Sequence, residues 1–227
     1  MKHLTICAAF LLLNVVTAQA TEVSHDGATV DSAKVALIAQ TTPLLQLQQR
    51  WAQINYGSED KESAFKALLK QAKSAVLTDP NNPELLIWQG IIQSSTAGAL
   101  GGLSALKYAK AARKSFEHAM HIDENALTGS AMTSLGVLYH KLPGWPISFG
   151  DDKKAAQLLT RALEVNPHGI DPNYFYAEFL FDNKDYANAA KYLQKAKMAP
   201  PRQNRPLADE GRQSDIAALE KKLKEKV

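Results

Sequence analysis

The chain has 227 residues, 45% of them apolar and 22% charged, with 26 basic and 23 acidic side chains for a net charge of +3. A chain of this length can bury a core without metal or disulfide staples. Its single cysteine, Cys7, excludes a disulfide framework or a cysteine-based zinc site within one copy. The near balance of charge argues against nucleic acid, which requires a concentrated basic surface, and 34 alanines favour helices.

Residues 1–20 read as a secretory signal peptide. Met1-Lys2-His3 is a short basic start, and residues 4–16 are nearly all apolar around Leu11, Leu12 and Leu13. Ala18-Gln19-Ala20 then supplies small residues at the two positions a signal peptidase reads. The apolar run is short for a bilayer span. The predicted cut follows Ala20 and the predicted compartment is the periplasm. Cleavage removes Cys7 and, with Lys2, lowers the net charge from +3 to +2. No later segment approaches about 20 consecutive apolar residues, so the mature chain is not expected to span a membrane.

Residues 21–59 read as an N-terminal segment with capping helices. Residues 21–30 are polar. Residues 31–40 predict a short helix with Val35, Leu37 and Ile38 inward. Thr42-Pro43 is a helix start with proline at the first helical position, and Leu44, Leu45, Leu47, Trp51 and Ile54 form a face to bury.

A repeat follows. Ala112-Phe116-Ala119, Ala155-Leu159-Ala162 and Ala189-Leu193-Ala196 share steps of four and three, which place each triplet on one helix face. Small ends let a neighbouring helix approach, and the large middle residue fills the gap. Each helix is predicted to stop soon after, at Ile122-Asp123, Val165-Asn166-Pro167 and Ala199-Pro200-Pro201. Ala162 to Ala196 is 34 residues, whereas Ala119 to Ala162 is 43, an excess placed in one loop. A weaker copy, Leu68-Ala72-Ala75, precedes Asp79-Pro80, and its 44-residue step from Ala75 to Ala119 is read as a loop at Gly98, Gly101 and Gly102.

The partner helices carry Leu135-Gly136 followed by Tyr139, Gly90 preceded by Gln89, and Tyr176-Ala177 followed by Leu180. On these residues and the 34-residue period, the chain resembles the tetratricopeptide-repeat family over residues 60–201. Tryptophan is missing from its usual place, which Asn173 takes in the last repeat. The resemblance implies an all-α fold: antiparallel helix hairpins stacked into a right-handed solenoid, with capping helices at both ends. Residues 202–227 supply the C-terminal part, read as a linker over 200–211 and a helix over 214–225 with Ile216, Leu219 and Leu223 inward.

The resemblance also implies that the first helix of each hairpin lines a concave inner wall. The family's groove positions fall on Glu84, Ile87 and Ile91, then on Thr133, Val137, His140 and Lys141, then on Asp171, Tyr174, Glu178 and Phe181. They read as a groove for an extended peptide or partner helix, or as residues that in part pack under neighbouring helices. The paired basic clamp with which some members hold a terminal carboxylate is missing from them.

The insert 142–151 holds two prolines and two glycines, so it is a defined non-helical excursion. Trp145, Ile147 and Phe149 in it either tuck back over the hairpin or present an anchor to a partner. This insert, ahead of Asp152-Lys153-Lys154-Ala155, is similar to the periplasmic T-component proteins of TRAP transporters. That likeness implies a transporter subunit as partner and an accessory role that holds a small apolar ligand in a cavity beside Tyr139, Trp145 and Phe175.

Catalytic patterns are missing. The mature chain has no cysteine nucleophile, no glycine-rich phosphate loop and no His-Glu-x-x-His. His118 and His121 share a helix face without further ligands nearby in sequence. His140 and Glu178 are expected to approach each other, a pair that defines no reaction. The sequence therefore predicts a non-catalytic periplasmic scaffold that binds a protein or peptide, with no cofactor and no metal.

Overall fold

The computed structural model describes residues 42–57 and 60–226. The predicted signal peptide and the helix expected over 31–40 lie outside the described residues. Regular structure among the described residues is helical throughout: α1 Pro43–Gly57, α2 Lys61–Thr78, α3 Pro83–Leu100, α4 Gly102–Ile122, α5 Ser130–Lys141, α6 Asp152–Val165, α7 Ile170–Asp182, α8 Tyr186–Lys197 and α9 Pro206–Lys224. A short 3₁₀ turn, Ala126–Gly129, precedes α5.

Short polar side chains start these helices by accepting from the otherwise unpaired N–H groups of the first turn. Asp60 accepts from the Ser63 amide at 3.1 Å, Asn82 from Glu84 at 3.1 Å, Asp151 from Lys154 at 3.1 Å and Asp185 from Asn188 at 3.2 Å. Thr42 does the same for Leu45 at 3.2 Å, ahead of Pro43.

Consecutive helices pack as hairpins, α3 with α4, α5 with α6 and α7 with α8, and each hairpin packs on the next. The alanine triplets lie at their centres. Ala112, Ala155 and Ala189 are each 0% exposed, and Phe116, Leu159 and Leu193 between 0% and 3%. Each large residue enters a gap that the partner helix leaves open. A Cβ added at Gly90 would meet the Phe116 ring at 2.5 Å, and one at Gly136 would meet Leu159 at 2.8 Å. Ala177 takes the corresponding place in α7 and is fully buried. The fold is the predicted stack of helix hairpins.

Both ends are covered. The α1 face settles Leu47 and Ile54 against Phe65, Leu68 and Trp88 in one core cluster. At the other end Ile216, Leu219 and Leu223 of α9 join the cluster that contains Leu193 and Ala196. Helix α9 also reaches α7 and α1, so the two ends of this unit meet.

Two boundaries differ from expectation. The excess residues around Gly98–Gly102 form no loop: α3 runs on to Leu100, and Gly101 alone separates it from α4. Gly101 and Gly102 have φ of 65° and 56°, the left-handed region that glycine adopts without penalty, so the chain reverses between two long helices. Likewise α9 begins at Pro206 rather than at 214, because proline suits the first helical turn and Gly211 is no linker residue. The Tyr56 ring occupies the space where a Cβ of Gly211 would lie.

Gly90 and Gly98 of the same helix separate packing from propensity. Gly90→Ala is expected to destabilise the protein by about 1–3 kcal/mol through the clash with Phe116. Gly98→Ala, with nothing within 4 Å of the new Cβ, is expected to stabilise it by about 0.5–1 kcal/mol. Urea unfolding of the full chain checks both, and a shift of the same sign in the two variants would contradict the packing.

Candidate functional site: a cavity between the hairpin stack and helices α1 and α9

A cavity of about 620 Å³ lies between α1, α3, α5, α7 and the segment leading into α9. Gln48, Trp51 and Tyr56 of α1 and Trp88, Ile91 and Ser94 of α3 form one side. Thr133, Ser134 and Val137 of α5 and Ile170, Asp171 and Phe175 of α7 form another. Pro200, Pro201, Arg202, Arg205 and Arg212 form a third. The aromatic wall is fixed by edge contacts and a hydrogen bond. Trp51 meets both Trp88 and Tyr56 edge-on at 5.9 Å, and its indole N–H donates to Ser95 Oγ at 2.8 Å.

Leu127 and Thr128, on the rim, are left-handed with φ of 48° and 53°. Such residues are strained by about 1–2 kcal/mol each. Part of the compensation is local: Asn166 Nδ2 donates to Thr128 Oγ1 at 3.2 Å.

The charged part of the wall centres on Asp171. Its carboxylate accepts from Arg202 Nη1 at 2.6 Å and from Arg212 Nε at 2.9 Å. Arg202 also holds Asp209 at 2.5 Å, and Arg212 donates to Asp215 at 2.9 Å. The Arg212 guanidinium lies over the rings of Tyr174 and Phe175, 4.5 Å from each centre. Burial alone would raise the Asp171 pKa, but the guanidiniums of Arg212, Arg202 and Arg205 outweigh it and hold the carboxyl well below the ordinary carboxylate range. Burial also raises the Tyr174 hydroxyl, keeping it protonated.

Arg205 differs from its neighbours. It sits 5.0 Å over the Trp88 ring, its side chain has no ion pair or hydrogen bond among the described residues, and its Nε is sealed from solvent. Burial, with the nearby Arg202 charge, pulls its pKa down to about 10, so it stays cationic at neutral pH.

The residues singled out from the sequence fall into separate places. Ile91, Thr133, Val137 and Asp171 line the cavity. Ile87 at 0% exposure and Tyr174 at 7% belong to the core and offer no surface to a partner. Glu84 is half-buried at the start of α3, and Phe181 packs on Tyr186 at 5.5 Å. His140, Lys141 and Glu178 form a polar cluster away from the cavity wall. There His140 contacts Asp152 at 2.7 Å and Asp182 at 2.9 Å, while Lys141, rather than His140, pairs with Glu178 at 3.3 Å. Trp145 projects from the 142–151 loop at 90% exposure. The cavity expected beside Tyr139, Trp145 and Phe175 lies elsewhere, since only Phe175 of the three lines the one observed. The arginines and Trp88 were not signalled. Arg205 and Arg212, one beside the start of α9 and one within it, are spaced by seven, which places both on one helical stripe, but only once that stretch is recognised as helix.

Residues 147–209, which span α6, α7, α8 and the entry to α9, match the family model described as tetratricopeptide repeat. The match is confined to this segment, and upstream of it α3–α4 and α5–α6 pack as hairpins in the same way. No curated protein matches the chain. Solved structures similar to it include a thermophilic TPR protein of Thermus thermophilus, 16% identical over 77% of this chain and 99% of that one, with a TM-score of 0.41. MamA is also similar, 16% identical over 70% of this chain and 99% of that one, with a TM-score of 0.32.

Because Asp171 ionises more readily folded than unfolded, its contribution is complete above the unfolded pKa of about 3.9 and is lost as pH falls through the lower folded value. Asp171→Asn is expected to destabilise the protein at pH 7 by roughly 2–4 kcal/mol, a buried-pair effect reduced for the carboxylate's 28% exposure. Urea unfolding checks this, and the gap between variant and wild type should narrow below about pH 4. A gap that stays constant with pH contradicts the assignment.

Proposed function

We propose that the protein is a non-catalytic periplasmic scaffold that binds a protein partner, using the exposed side chains of the 142–151 loop as its contact element. Tetratricopeptide repeats are interaction modules, and stacked hairpins present extended concave surfaces for that purpose. The basic start, short apolar run and Ala18-Gln19-Ala20 of the sequence support export.

The observation that carries the partner reading is an exposed aromatic on a rigid support. Trp145 is 90% exposed and Ile147 59% exposed. The loop beneath them is tied down: the Gly150 amide donates to the Pro143 carbonyl at 3.0 Å and the Asp151 amide to that of Tyr139 at 3.0 Å. Phe149 anchors it from below, edge-on to Tyr139 at 5.6 Å and under Arg113 at 5.1 Å. The two readings of the insert are thus divided between its residues, Phe149 tucked in and Trp145 presented. A preorganised loop loses little entropy on binding, and tryptophan is favoured at energetic centres of interfaces.

A photo-crosslinking residue at position 145, in cells producing the full chain, is expected to give a discrete adduct that the same residue at exposed Leu103 does not. Once that partner is in hand, Trp145→Ala should weaken binding about tenfold or more with unfolding unchanged. Identical adducts from both positions would contradict the proposal. N-terminal sequencing of the protein from the periplasmic fraction should begin at Thr21. Recovery only in the cytosol with Met1 intact would contradict export.

A further inference from the structure

The interior cavity is separate from the 142–151 loop, none of whose residues line it, and its chemistry stands independently of any partner met there. At about 620 Å³ it has the size of a small-molecule pocket. Its charged lining, among the described residues, is three arginines and one carboxylate. That carboxylate, Asp171, is shared by Arg202 and Arg212, which are further engaged by Asp209 and Asp215. One guanidinium is left over. The Arg205 side chain has neither an ion pair nor a hydrogen bond among the described residues, and its Nε is cut off from water. Its terminal Nη groups also have no acceptor among the described residues but are not sealed, so they can donate to a ligand oxygen. Trp88 lies 5.0 Å from the guanidinium, a cation–π contact that takes up none of its N–H donors.

We propose that this cavity binds a small organic monocarboxylate, its carboxylate accepting from Arg205 and its apolar body lying against Trp88, Ile91, Val137 and Phe175. The planar two-oxygen carboxylate matches the guanidinium fork. One negative charge matches one uncommitted cation, whereas a phosphate dianion brings a second charge for which the wall keeps none free. Its volume of about 620 Å³, walled by five structural elements, suits a small molecule rather than an extended chain.

The test is titration of the full chain with dodecanoate and with indole-3-propionate, followed by calorimetry and by the fluorescence of Trp51 and Trp88. The corresponding alcohols and inorganic phosphate serve as comparison ligands. The expected result is saturable one-to-one binding of at least one carboxylate and at least about tenfold weaker binding of its alcohol. Arg205→Gln should lower carboxylate affinity about tenfold or more while leaving alcohol affinity unchanged, and Arg205→Lys should recover part of it. Urea unfolding reports whether each variant is folded. If Arg205→Gln is not, the carboxylate-to-alcohol ratio of the wild type and the Arg205→Lys affinities decide. The proposal is overturned if neither carboxylate saturates, if the alcohol binds as tightly, if phosphate competes equally, or if a folded Arg205→Gln keeps full carboxylate affinity.

Discussion

Asp171 lies near the start of α7, and both its oxygens are taken by arginines from the chain beyond α8: Arg202 at 2.6 Å and Arg212 at 2.9 Å. Those two contacts fix where the C-terminal segment runs. With Arg212 pinned over Tyr174 and Phe175, α9 turns across α7 and brings Gly211 onto the Tyr56 ring of α1. With Arg202 pinned, the stretch between them carries Arg205 over Trp88 and forms one wall of the cavity. Ion pairs of this kind add little net stability, because desolvation offsets much of their attraction. Here their effect is to select one position for a helix.

The frame on which Asp171 sits depends on shape rather than charge. In each hairpin a large side chain of the second helix enters a gap on the first, at Gly90 for Phe116 and Gly136 for Leu159. Side chains this tightly seated cannot slide by one residue without a clash or a void. The hairpins are therefore held in a common register even though α3 and α4, at 18 and 21 residues, are longer than the 12 to 14 of the later pairs. The first helices α3, α5 and α7 then bring Ile91, Val137 and Phe175 to one cavity wall.

Short-range order in the sequence is what made this frame readable. The alanine triplets repeat at helical spacing and identify the buried faces without reference to distant residues. The site was far less legible. Repeat phase places Asp171 on the groove, but Arg202 and Arg212 lie 31 and 41 residues away, and no local pattern links them. Gly211 read as a linker because glycine favours turns, when its missing side chain instead admits Tyr56. Tyr174 and Ile87 fell on groove positions by repeat phase but are buried, since the C-terminal segment and the neighbouring helices cover what an ordinary inner wall exposes. The 142–151 loop held a mixture of tucked and presented residues that alternation with proline and glycine does not resolve.

The central claim is that α9 is a permanent wall of the molecule, held by Asp171, and not a loosely attached tail. Amide hydrogen exchange across 206–224 tests it most directly. The account predicts that α9 amides in the wild-type chain exchange nearly as slowly as those of α7, and that they speed up in Asp171→Asn while the α5–α6 hairpin stays protected. Rapid exchange of α9 in the wild type, or equal loss of protection in every helix of the variant, would contradict it.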